Sequence, residues 1–150
     1  MYFPDLELLR YDEGPFRAEN WSAPLLAFGW LEHPNAFPTG AIDDDVISKL
    51  KALVEQARGR MDSFLGMMDC TFCRAANLPG PGPIWSQENV FIPGTNAVYV
   101  APGGIIHYIE QHSYCPPSEF LQAVLQCPNL ATRMYRDAIR TANHGIKPPS

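Results

Sequence analysis

Apolar positions along this chain change period several times, and each change predicts an element. Pro24 to Leu31, PLLAFGWL, is a short, nearly unbroken apolar run, which predicts a buried strand. The proline-punctuated EHPNAFPTG (32–40) reads as a loop. From Asp43 to about residue 58 the period becomes helical: Val46, Ile47, Leu50, Leu53, Val54 and Ala57 form one stripe. Asp43 is the expected N-cap, and Asp44 and Asp45 place negative charge where the helix dipole favours it. Alternating Pro and Gly make NLPGPGPIWSQ (77–87) irregular. ENVFIPGTNAVYVAP (88–102) predicts two strands around a Gly-Thr-Asn turn. Three helices are expected after it, over 103–112, 116–126 and 128–145, the last capped by Asn129 and stopped by Gly145. Residues 1–20 read as an ordered arm with a loop at DEGPF, and IKPPS as a frayed tail. The class is α+β, with short strands including a β-hairpin and at least four helices.

Composition narrows the possibilities. The 150 residues suffice for one domain, 1–150, with its own core. With 46% hydrophobic and 18% charged residues the chain has the balance of a globular protein rather than a disordered one. A net charge of −5 and a pI near 5.2 argue against nucleic-acid partners and anionic membranes, both of which call for clustered Lys and Arg. The nearest cluster is Arg133, Arg136 and Arg140. No apolar stretch approaches the roughly 20 residues that span a bilayer. The N-terminal residues lack the basic and apolar regions of a secretory signal. The expected compartment is the cytoplasm, where a CxxC pair is more often a metal or redox element than a disulfide.

Cys70 and Cys73 in DCTFCR form that pair. Redox CxxC pairs sit where a strand enters a helix; no clear strand precedes this one, and a Pro/Gly loop follows. Structural zinc needs two further nitrogen or sulfur ligands. HYIEQH supplies His107 and His112 at the H-x₃₋₅-H spacing of zinc sites. Five helical residues rotate by about 500°, which splays two side chains roughly 140° apart. Convergence is therefore expected to need a loosened helix end near His112. A CxxC knuckle, a loop, a hairpin and a ligand-bearing helix follow one another in the order of a treble-clef zinc finger, and the stretch from Cys73 to His107 has room for them. Few apolar anchors stand among the prolines and glycines of 69–102, so this segment is expected to depend on the metal.

Other chemistry-bearing residues have plainer readings. Cys115 rivals His112 for the fourth position. Cys127, beside Pro128, reads as a buried thiol, His33 as a solvated loop histidine, and His144 as a cation at a helix C-terminus. The Asp43–Asp45 run is explained by a helix start without a cation. HExxH, GxSxG, the P-loop and the zinc-deaminase pattern are all missing. Glu110 could act as a base near a metal, but four protein ligands leave no open position for water.

Two segments carry a resemblance. FGWLEHPNAFPTG (28–40) and YVAPGGIIHYIEQHSYCPPSEFLQAV (99–124), with the CxxC upstream, resemble an uncharacterised family of small bacterial proteins that share a GWL…HPFPTG loop, a Cys pair and an AP–helix–HY…H–Y–PP–F segment. The resemblance touches Cys70, Cys73, His107, His112, Tyr114, Pro116, Pro117 and Phe120. It implies a fold and a metal but no activity. Cys115 falls where the family pattern varies, which favours His112 as the ligand. Asn35 and Ala36 interrupt the loop motif, which weakens any ligand role for His33.

The expectation is a non-enzymatic domain holding structural Zn2+ through Cys70, Cys73, His107 and His112, and acting through a protein partner as an accessory or immunity-type protein. The alternative is a metal-dependent hydrolase with an incomplete zinc shell and Glu110 or His33 facing the metal across a water. A thiol redox protein is a third possibility.

Overall fold

A computed structural model describes residues 2–9, 21–57, 67–77, 84–86 and 89–144. The predicted hairpin is the centre of the fold. Strands β4 (Asn89–Pro93) and β5 (Val98–Pro102) pair antiparallel from Asn89↔Pro102 to Pro93↔Val98. The Gly94 amide donates to the Ala97 carbonyl at 2.8 Å across the turn, and Asn96 takes the positive φ of 57° that a tight reversal requires.

The apolar run at 24–31 supplies β1 (Leu25–Ala27), which joins β5 in parallel, Leu25↔Val98 to Ala27↔Val100, so that the sheet order is β1-β5-β4. Every residue of β5 is buried. That burial on both faces is why the strand reads as a continuous apolar run rather than an alternation. The N-terminal arm lies along β1 through bridges at Phe3↔Trp30 and Leu8↔Leu26.

Helix α1 (Asp44–Ala57) buries Val46, Leu50, Leu53, Val54 and Ala57, the stripe its period predicts. The Asp43 carbonyl accepts from the Val46 and Ile47 amides, fixing the helix start. Helices α1, α4 (Ser118–Gln126) and α5 (Arg133–Ala142) pack against β4. Phe28 and Phe120, both fully buried, stack at 4.8 Å between ring centroids where the sheet meets α4. The Tyr135 hydroxyl donates to the Phe91 carbonyl at 2.5 Å, and Asn143 Oδ1 accepts from the Ser22 and Ala23 amides. The chain is α+β, with five α-helices among the described residues.

Four expectations are corrected. Ile84–Ser86 is not irregular: it forms β3, antiparallel to β2 (Met67–Asp69). The Pro/Gly alternation ends at Pro83, so the backbone donors of 84–86 are free to pair with a partner that local sequence does not reveal. A strand therefore does precede the cysteine pair. Helix α4 begins at Ser118 rather than at the prolines, with Pro117 extended at ψ 150° in the cap position. Helix α5 is capped by Thr132, whose Oγ1 accepts from the Tyr135 amide at 3.3 Å; Asn129 instead accepts from the Ala131 amide in the preceding turn.

The 69–102 segment also divides. Its second half is core, with Val90, Ile92, Val98 and Val100 fully buried. Among the described residues of its first part, Ile84–Ser86 pairs with β2 outside the main sheet. The DEGPF loop, Gly145 and the IKPPS tail lie outside the described residues.

Candidate metal centre

Two short helices bring the clustered residues together. Helix α2 (Thr71–Ala75) starts directly after β2, with Cys70 as its N-cap. The Cys70 Sγ accepts from the Cys73 amide at 3.4 Å, and its carbonyl accepts from the Arg74 amide at 3.1 Å. This local turn carries both sulfurs to the same side. Between them, Phe72 lies edge-on to Phe37 at 5.1 Å and to Tyr108 at 6.2 Å, which ties the turn to the rest of the fold.

Helix α3 (Ile105–His112) brings the imidazoles. Ile105, Tyr108 and Ile109 are buried, and the Tyr108 hydroxyl donates to the Leu31 carbonyl at 3.3 Å. With that face fixed, His107 and His112 stand half-buried opposite α2. The helix does not loosen ahead of His112, contrary to the sequence expectation. It stays intact through that residue and ends at Ser113, which takes the left-handed conformation with φ 57°. Side-chain reach, not unwinding, brings the rings to 5.1 Å between centroids.

Ligand atoms of Cys70, Cys73, His107 and His112 all lie within 4.8 Å of one another. Cys70 Sγ is 3.3 Å from His112 Nε2, and Cys73 Sγ is 3.5 Å from both His107 Nε2 and His112 Nε2. A tetrahedral centre with metal–sulfur bonds of about 2.3 Å and metal–nitrogen bonds of about 2.05 Å has sulfur–nitrogen edges of about 3.6 Å. The observed separations are close to that edge, so the four residues are close enough to hold one metal ion. Two thiols and two imidazoles are also the donor set that tetrahedral zinc takes.

The electrostatics suit neutral imidazoles. Burial lowers the pKa of both histidines, and for His107 the neighbouring His112 lowers it further while Glu110 opposes the shift. Burial pushes the Cys73 thiol up, and the adjacent Cys70 adds to the rise. A cation bound among these groups reverses that tendency and favours the thiolates.

The remaining candidates lie elsewhere. Cys115 turns its Sγ toward the Pro116 carbonyl at 3.7 Å, outside the cluster. Cys127 is buried with its Sγ 3.4 Å from the Pro128 carbonyl, and burial pushes its thiol up to about 11. His33 is exposed; its amide donates to Thr71 Oγ1 at 2.8 Å, and its ring lies edge-on to Phe72. Glu110 is exposed and paired with Lys51 at 2.7 Å. His144 is exposed just past α5.

Sequence reasoning missed Asp5, a lone acid in the N-terminal arm that no motif marks. Its carboxylate accepts from the Tyr114 hydroxyl at 2.8 and 2.9 Å and from the Gly29 amide at 3.1 Å.

A family model, the domain of unknown function DUF7919, matches residues 1–125, which include all four clustered residues. The chain belongs to the DUF7919 family. No curated protein and no solved structure matches it. Helix α5 lies beyond the matched span, whereas every element that builds the metal cluster lies within it. No described helix is long and apolar enough to cross a membrane.

Proposed function

We propose that this DUF7919 chain is a single zinc-stabilised domain, with Cys70, Cys73, His107 and His112 as the complete ligand set of a structural Zn2+. The observation that carries the reading is the agreement between the three sulfur–nitrogen separations of 3.3–3.5 Å and the edges of a zinc tetrahedron. The strand-flanked CxxC turn, the β4–β5 hairpin and helix α3 follow in treble-clef order, which supports a zinc-finger-like element grafted onto the sheet.

A shell of four protein donors leaves no position for an activated water. Glu110 is engaged by Lys51, and the ring of His33 packs on Phe72. Both features disfavour the hydrolase reading. Cys70 does have the strand-to-helix setting of a redox pair, but two imidazoles converging on both sulfurs complete a four-donor metal set that dithiol exchange does not require, and this favours the metal reading. The protein then acts through a protein partner, in the manner of an accessory or immunity-type protein of the cytoplasm, rather than on nucleic acid or a membrane surface.

X-ray absorption at the zinc edge tests the ligand set. Two sulfur scatterers, two light scatterers and the outer-shell multiple scattering of two imidazole rings are expected. Two sulfurs with the ring signal of one imidazole or none would contradict the closed shell and restore the hydrolase reading.

A further inference from the structure

His107 and His112 are not held alike. His107 sits inside α3 with helix on both sides, whereas His112 is the last residue of that helix. Its direction depends on the turn that follows, and that turn is tied down by several hydrogen bonds. The Ser113 carbonyl accepts from the Gly40 amide at 3.0 Å, the Cys115 amide donates to the Pro38 carbonyl at 3.0 Å, and the Tyr114 amide donates to the Tyr108 carbonyl at 3.1 Å. One side-chain anchor joins these backbone bonds. Tyr114 is completely buried, and its hydroxyl donates to both oxygens of Asp5, which the Gly29 amide also holds.

We infer that Asp5 and Tyr114 are positioning residues for His112: their buried hydrogen bond fixes the turn after α3 and so sets the affinity of the metal site. The inference rests on the proposed zinc site and adds a further element to it, since Asp5 lies in the N-terminal arm and is bonded to Tyr114 and Gly29 rather than to a clustered residue. Outer groups that orient metal ligands typically change metal affinity by about 10- to 100-fold. An anchor acting through one of four ligands belongs at the low end of that range.

The test is a zinc competition titration on the full chain against a chromophoric chelator, with far-UV circular dichroism to confirm folding. Tyr114→Phe, which removes one oxygen and keeps the ring, and Asp5→Ala should each weaken zinc binding about tenfold. Asp5→Asn keeps an accepting oxygen and should stay within about threefold of the parent. The backgrounds separate positioning from general loosening. Added to His112→Ala, Tyr114→Phe should change affinity less than about twofold, while added to His107→Ala it should still cost about tenfold. With cobalt in place of zinc, the ligand-field bands of Tyr114→Phe should be weaker than the parent's and those of Asp5→Asn should match them. Unchanged zinc affinity in Tyr114→Phe, or the same loss in both histidine backgrounds, would overturn the inference. A parent protein that binds no zinc would remove the metal reading itself, a result distinct from either.

Discussion

Gly29→Ala should loosen the metal centre from a position outside it. Gly29 has φ +78°, a region that costs an L-residue about 1–2 kcal/mol. An added Cβ would also lie 2.7 Å from both Cγ1 and Cδ1 of Ile105. Ile105 is fully buried and opens α3, so the overlap is not relieved by swinging a side chain into solvent. Overpacking of this kind costs about 1–3 kcal/mol. The sum, about 2–5 kcal/mol, is a large share of the roughly 5–15 kcal/mol that holds a domain together. It corresponds to a fall in melting temperature of roughly 4–20 °C for a chain of this size. Relief by moving α3 would shift His107 and His112 relative to the cysteines, so zinc affinity should fall as well. Differential scanning calorimetry and a zinc titration on the same preparation measure the two effects. A melting temperature within about 1 °C of the parent would refute the argument from φ and contact.

Three further outcomes are expected. A strong chelator should lower the melting temperature and direct the first proteolytic cuts to 67–77, because β2 and α2 lie outside the main sheet; identical digests with and without chelator would count against a structural metal. In the metal-free protein the two histidines have lowered pKa values, so the unfolded state binds more protons. Stability should therefore fall as pH drops below about 6.5 and on through the lowered native values, as followed by thermal melts across pH 5–8. Thr132→Ala should cost about 1 kcal/mol by loss of the α5 cap, while Asn129→Ala should cost less; urea denaturation ranks the two.

What was legible in the sequence is what local periodicity or ligand spacing encodes. The α1 stripe, the β4–β5 hairpin and the two ligand-spaced pairs all announce themselves within about fifteen residues of chain. The β2–β3 pair did not, because its partners flank a Pro/Gly segment and only tertiary pairing makes 84–86 a strand. Asn129 and Thr132 are both good capping residue types, so local sequence does not separate them; the Thr132 contact with the Tyr135 amide does. The intact end of α3 was missed for a different reason. An argument from helical rotation locates Cβ atoms, but an imidazole places Nε2 several ångströms farther out, enough for two splayed histidines to meet over one pair of sulfurs. Asp5 carries no sequence signal at all: its partners Gly29 and Tyr114 are 24 and 109 residues away.

The central claim concerns a metal bound by four named residues, and metal content measures it most directly. The protein should be purified without a metal-affinity tag and analysed by elemental mass spectrometry beside its Cys73→Ser and Cys127→Ser variants. The expected result is one zinc per chain in the parent and in Cys127→Ser, and none in Cys73→Ser. A parent chain free of stoichiometric zinc, or a Cys73→Ser protein that retains it, would contradict the account.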